Sequence, residues 1–190
     1  MTTNRLEAFS DGVLAIIITI MVLEMKVPEG ANFSTLVPLL PVFFTYIGSF
    51  IYVGIYWNNH HHLMHATEKV NGKILWANLH LLFWLSLFPF VTGWMGENHF
   101  ENNPVALYGL VLMMAAIAYR ILSYSVIKAN GESSVLAIAY KKDFKGYISI
   151  VIYFIGVIVS FFLPLISILL YISIAIMWLI PDRRIEKLLK

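Results

Sequence analysis

A carboxylate and a hydroxyl lie inside the apolar segment that begins at Arg5. Asp11 and Thr19 interrupt a run of aliphatic residues that is long enough to cross a bilayer as a helix. Polar groups in a membrane helix are costly to remove from water, so they usually serve an ion pathway or an internal hydrogen-bonded network instead of facing lipid. These two residues therefore point to ion conduction or to interhelical hydrogen bonding.

One face of this first helix is apolar except for a single hydroxyl. At helical periodicity, Asp11 lies nearly opposite this face and Ser10 lies to one side of it. The face, called the stripe below, consists of Phe9, Ile16, Thr19, Ile20 and Leu23. Two interpretations of the stripe remain open. It lines a path for ions, or it packs against a neighbouring helix while Thr19 bonds to its own backbone carbonyl at i−4.

Polar residues from several helices are expected at the depth of Asp11. At about 1.5 Å per residue, Asp11 lies on the order of 9 Å above Arg5. An ionised carboxylate at that depth needs hydrogen-bond donors. We predict a network that fixes the first helix against the second and third, with Arg120 either paired with Asp11 or extended to the aqueous surface. The predicted members are Arg5, Ser10, Asp11, Asn58, His60, His61, Trp76, Asn78 and Arg120.

A cluster of histidines at the end of the second helix raises the alternative of a metal site. His61 and His65 have the i, i+4 spacing of a helical metal pair, with Glu68 as the third candidate ligand. No glutamate stands inside the pair as it does in the zinc-protease motif, and the chain has no cysteine. The sequence also lacks a nucleophile elbow, a phosphate loop and paired catalytic carboxylates. We expect no metal, no cofactor and no enzymatic activity.

The composition is that of a membrane protein. Hydrophobic residues make up 59% of the 190 residues and charged residues only 13%, more apolar surface than a soluble domain of this length could bury. The first apolar run lacks a small-residue cleavage site and is interpreted as a retained helix. The sequence predicts an all-α membrane protein with six transmembrane helices, forming a single unit over residues 1–190. The predicted spans cover about 6–25, 40–62, 74–95, 105–127, 145–163 and 165–180.

The positive charges define a topology. Of the 13 Lys and Arg residues, Lys26 lies on one side of the six-span arrangement, Arg120 lies within a span, and the others lie on the opposite side. Such a bias places both termini in the cytoplasm of a multi-pass protein of the cell membrane. The short basic tail over 181–190 is expected to bind lipid headgroups. The net charge of +2 follows from this topology, so no nucleic-acid partner is indicated.

Motifs in the first half of the chain resemble the signature of the transmembrane protein 175 family, the lysosomal potassium channels and their bacterial relatives. The first helix carries Arg5-x-x-x-Phe9-Ser10-Asp11, followed by Gly12-Val-x-Ala-Ile16-x-x-Thr19 and Val27-Pro28. The second ends in Trp57-x-x-His60-His61, and the third contains Leu75-Trp76-x-Asn78 and Pro89-Phe90-x-Thr92. The second half of the chain resembles the family in hydropathy and helix count.

The resemblance implies a potassium channel with the first helix at the centre of the pore. Bacterial members with one six-helix unit assemble as tetramers, so the resemblance implies a homotetramer here. By position, Ile16, Ile20 and Leu23 match apolar pore layers, with Ile16 at the constriction, and Thr19 matches the threonine linked to potassium preference. The Thr-Val-Gly-Tyr-Gly carbonyl loop is absent, so selectivity would come from side chains. A secondary transporter and a proton-conducting membrane protein remain the alternatives.

Overall fold

The described part of the protein is built from α-helices. The computed structural model describes residues 2–131 and 143–179, and no strand occurs in these two ranges. A 3-10 helix, Phe33–Leu39, precedes the second α-helix. The α-helices of the described chain are Thr3–Leu23 (α1), Leu40–His65 (α2), Gly72–Ser86 (α3), Phe88–Glu97 (α4), Asn102–Asn130 (α5), Phe144–Ser160 (α6) and Pro164–Leu179 (α7).

These helices form six apolar spans, because α3 and α4 follow each other within one span. Among the described residues, four segments are long and apolar enough to cross a membrane: α1, the 3-10 helix with α2, α3 with α4, and α5. The apolar helices α6 and α7 are shorter, with 17 and 16 residues. The prediction of an all-α fold with six helical spans is confirmed. The basic tail over 181–190, and Lys141 and Lys142 of the predicted cytoplasmic loop, lie outside the described residues.

A proline divides the third span, for which the sequence predicts one continuous helix. The helix α3 ends at Ser86 and α4 begins at Phe88. Pro89 has no backbone N–H, and in a continuous helix its ring would collide with the carbonyl of Leu85. In the first turn of a new helix the missing donor is harmless, since the N–H groups there have no intrahelical partner. The span therefore consists of two short helices.

The helix α5 lies at the centre of the bundle. It packs against α3, α4, α6 and α7, while α1 packs against α2, α3 and α4. Tyr171 on α7 is only 2% exposed, and its side chain lies against α5 and α6. Gly109 on α5 and Gly156 on α6 flank this side chain, and a Cβ at either position would overlap it. The two glycines thus allow α7 to approach its neighbours closely.

The substitution Gly109→Ala is predicted to destabilise the bundle. The added methyl group overlaps the Tyr171 hydroxyl, and overpacking of this kind costs about 1–3 kcal/mol. Thermal unfolding in detergent, followed by circular dichroism, measures the cost as a lower Tm. Gly48→Ala on α2 is the control, because a Cβ there meets nothing within 4 Å. Equal Tm values for the two variants would contradict the packing described here.

Candidate functional site

The helix α1 has one buried face and one exposed face. The buried side chains recur at helical spacing and are Leu6, Ser10, Leu14, Ile17 and Met21. The stripe lies on the exposed face, with exposed fractions of 51% for Phe9, 58% for Ile16, 39% for Ile20 and 79% for Leu23. Thr19 is exposed among them. The stripe therefore does not pack against another helix of the same chain.

The hydroxyl of Thr19 bonds within its own helix. It donates to the backbone oxygen of Ile16 at 2.9 Å, at i−3 instead of the i−4 position considered from the sequence. A hydroxyl has one hydrogen and two lone pairs, so its oxygen keeps the capacity to accept. Thr19 therefore presents an acceptor oxygen on an otherwise apolar face.

Asn78 joins α1, α2 and α3 inside the bundle. Its amide nitrogen donates to the Ser10 hydroxyl oxygen at 2.9 Å, and its amide oxygen lies 2.7 Å from Nε2 of His60. Because an amide oxygen can only accept, Nε2 of His60 is the donor in this arrangement. Ser10 in turn donates to the backbone oxygen of Leu6. The three polar side chains are at most 1% exposed, so solvent does not compete for these bonds.

A second layer of polar contacts links α1 to α2 beside this network. The indole nitrogen of Trp57 donates to Asp11 at 3.1 Å, and Nδ1 of His61 lies 2.7 Å from the carboxylate of Glu7. The side chains of His61 and Glu7 are 47% and 22% exposed, and solvent weakens ion pairs of this kind. Asp11 therefore accepts its hydrogen bond from a tryptophan at the edge of the bundle. The buried donors, Nε2 of His60 and the hydroxyl of Ser10, bond instead to Asn78 and to the backbone oxygen of Leu6.

Several residues of the predicted network lie away from it. Asn58 is half-buried and Arg5 and Trp76 are exposed, and none of the three makes a side-chain hydrogen bond to any other described residue. Asn58 follows Trp57 directly, so its side chain is turned by roughly 100° around α2. Trp76 is turned by roughly 200° from Asn78 on α3 for the same reason. Their predicted membership of the network is corrected on these grounds.

Arg120 has a partner that the sequence analysis did not consider. Its guanidinium lies over the ring of Tyr147 on α6, 5.9 Å from the ring centroid. A guanidinium at this distance is attracted by the negative face of the ring. Arg120 is exposed, and its described contact is with α6 instead of with Asp11 on α1.

Glu7 and Trp57 belong to the polar layer but were not included in the predicted network. Each stands four residues from a predicted member on the same helix, Glu7 before Asp11 and Trp57 before His61. Residues at i and i+4 share a helix face, so this spacing was the available signal. Within residues 2–131 and 143–179, no three His, Cys, Asp or Glu side chains are grouped so that they could hold a metal ion.

The substitution Asn78→Ala is predicted to destabilise the protein strongly. It leaves the Ser10 hydroxyl and Nε2 of His60 without their buried partner, and each unpaired group costs roughly 1–3 kcal/mol. Unfolding in detergent, followed by size-exclusion chromatography and circular dichroism, measures the loss. Asn98→Ala is the matched control, because that exposed amide bonds only within its own turn. A stability loss no larger than that of the control would show that the network does not hold the helices together.

A family model described as "Endosomal/lysosomal potassium channel TMEM175" matches residues 5–89. This range contains α1 from Arg5 onward, α2 and α3, and with them the stripe and both polar layers. The chain is also similar in structure to a lysosomal potassium-selective channel TMEM175 homolog from Chamaesiphon minutus, known from a crystal structure. The TM-score is 0.83 at 25% sequence identity, and the match covers 95% of this chain and 97% of the other.

Curated relatives extend the similarity to the whole chain. A potassium channel of a Chryseobacterium species is 63% identical over 190 residues, which are 100% of this chain and 99% of the relative. A potassium channel of Streptomyces collinus is 34% identical over 136 residues, covering 67% of this chain and 66% of the relative. The human endosomal/lysosomal proton channel TMEM175 is 34% identical over 96 residues, or 44% of this chain and 19% of the relative. This multi-pass membrane protein therefore belongs to the TMEM175 family of ion channels.

Proposed function

We propose that this protein conducts cations passively, with a preference for potassium, through a pore lined by α1. The observation that carries the proposal is the stripe, an apolar helix face that is exposed in a single chain and has one hydroxyl within it. Polar side chains in membrane helices usually face a pathway or the protein interior instead of lipid, so the threonine favours a path. The relatives that are named potassium channels support the same conclusion.

The pore requires more than one copy of the chain. A single α1 presents its stripe outward and encloses no path, so several copies must bring their stripes together around one axis. We propose a homotetramer in the cell membrane in which each six-helix unit spans residues 1–190. In the topology predicted from the sequence, most Lys and Arg residues lie on the side of both termini, and this bias supports a cytoplasmic position for the termini.

Apolar rings are proposed to make the narrow part of the pore. Four copies each of Ile16, Ile20 and Leu23 would form a throat that resists ions by excluding water unless it widens. Ile16 is assigned to the tightest ring, because it lies nearest to Ser10 and the buried network that anchors α1. Side chains close to an anchored point move least, so that ring keeps its diameter best.

Thr19 is proposed to set the preference for potassium. Four hydroxyl oxygens at one level can replace part of the hydration shell of an ion without adding a fixed charge. Potassium is hydrated more weakly than sodium and gives up its water more readily. The ring of four Thr19 hydroxyls therefore favours potassium over sodium moderately. We propose no cofactor for conduction other than the permeant ion itself.

The substitution Thr19→Val tests this role, because it keeps the shape of the side chain and removes the hydroxyl. We expect the potassium-to-sodium permeability ratio to fall by about twofold to tenfold, the factor that corresponds to roughly 0.5–1.5 kcal/mol for one hydrogen-bonding group. Reversal potentials of the purified protein in planar bilayers measure the ratio. Thr45→Val is the matched control, since Thr45 makes the same i−3 bond but is buried in α2.

An unchanged ratio in Thr19→Val would overturn the assignment of selectivity to the threonine.

The same bilayers also test proton conduction, the second candidate function. It is favoured by the human relative, which is named a proton channel. A wild-type protein that carries protons but neither alkali cation would replace the potassium channel by that candidate.

The substitution Ile16→Asn tests the apolar throat. An amide at the tightest ring lets water remain in the pore, so we expect potassium flux into liposomes to rise severalfold. Val22→Asn is the control, because Val22 is exposed on the same helix but lies off the stripe. If the two variants raise the flux equally, or if neither does, Ile16 does not form the barrier.

A further inference from the structure

A groove between α3 and α5 opens on the outer surface of the bundle. It lies where α3 begins and α5 ends. Asn130 closes the bundle at this end, because its side-chain oxygen accepts bonds from the backbone nitrogens of Glu68 and Lys69 at 3.0 and 2.9 Å. These bonds tie the end of α5 to the turn that precedes α3, beside the groove.

The two walls of the groove carry the same order of side chains. Along α3, Lys73 at the end of the bundle is followed one turn deeper by Trp76, and along α5 Lys128 is followed one turn deeper by Tyr124. The next residues inward are His80 on α3 and Ile121 on α5. Both walls thus pass from a cation to an exposed aromatic ring and then toward the apolar middle of the span.

Both lysines are available to a ligand. The described residues contain two ion pairs, Lys26 with Glu97 and His61 with Glu7, and neither involves the groove. The nearby acid Glu68 is exposed on the turn before α3 and does not line the groove. A groove that has two free cations and no carboxylate among its described lining residues attracts an anion.

The aromatic residues place this anion at a membrane surface. Trp76 is 74% exposed and Tyr124 is 66% exposed, although both lie in helices apolar enough to cross a bilayer. Exposed Trp and Tyr near the ends of membrane helices lie at the level of lipid headgroups, and basic pockets between such helices bind acidic headgroups. Nε2 of His80 accepts a hydrogen bond from Trp84, so Nδ1 carries the ring hydrogen and is a donor. His80 lies roughly 10 Å farther along α3 than Lys73, toward the middle of the span.

We propose that this groove, lined by Lys73, Trp76, Tyr124 and Lys128, binds one anionic phospholipid of the adjacent leaflet. The lysines bind its phosphate, the aromatic rings flank the glycerol region, and the acyl chains follow the apolar part of the groove. The site is separate from the stripe, and its occupation does not depend on ion conduction.

The test is native mass spectrometry of the full chain with phosphatidylglycerol and with phosphatidylcholine of the same acyl chains. The wild type should retain phosphatidylglycerol preferentially. The double variant Lys73→Gln/Lys128→Gln should retain about thirtyfold less phosphatidylglycerol, with phosphatidylcholine unchanged, because two surface cations are lost and each contributes about 1 kcal/mol. Lys73→Arg/Lys128→Arg keeps both charges and should retain phosphatidylglycerol as the wild type does. Arg5→Gln/Lys69→Gln removes two exposed charges outside the groove and serves as the matched control.

Equal retention of the two lipids by the wild type, or equal losses in the groove and control variants, would overturn the proposal.

A second copy of the chain is the alternative occupant of the groove. The chain has no cysteine, so Ser125→Cys places a single thiol in the groove. Disulfide-linked dimers of this variant in membranes would show that a second chain covers the groove and would also overturn the proposal.

Discussion

The hydrogen bonds of Asn78 hold three helices together in a part of the protein where burial of apolar side chains does not specify helix rotation. Between apolar helices in a bilayer the lipid is as apolar as the side chains, so burial alone does not select one helix face over another. An unpaired polar group in that environment is costly, which makes the pairing of Asn78 with Ser10 and His60 the favoured arrangement. The orientation of α1 relative to α2 and α3 follows from these bonds.

This constraint decides which residues of α1 face outward. With Ser10 turned toward Asn78, the buried face continues through Ile17 and Met21, and the stripe is left exposed. The outer polar layer acts in the same direction, since Asp11 and Glu7 bond to side chains of α2. The polar residues of α1 thus have two separate roles. Those near its beginning hold the helix, and Thr19 is left on the face that an assembly can use.

The sequence predicts much of the fold, because the apolar runs are long and their boundaries are marked by charged or polar residues. It predicts the stripe as well, since helical periodicity needs no information on neighbours. It does not predict which side chains pair between helices. The sequence predicts buried donors for Asp11, whereas in the structure Trp57 at the edge of the bundle donates to it. The contact of Arg120 with Tyr147 depends on how the helices pack, and a single helix pattern carries no signal for packing. The break before Pro89 has a local cause in the proline ring, which hydropathy over a whole span does not register.

Reactivity of single cysteines along α1 tests most directly whether the exposed face lines a water-filled path. The chain has no native cysteine, so each introduced thiol reports on one position. A water-soluble cationic thiol reagent, applied during potassium current, should react with Thr19→Cys, Ile20→Cys and Leu23→Cys and reduce the current. Ile17→Cys and Met21→Cys, on the buried face, should not react. Stripe thiols that resist this reagent but react with a lipid-soluble maleimide would place the stripe in the lipid and contradict the account.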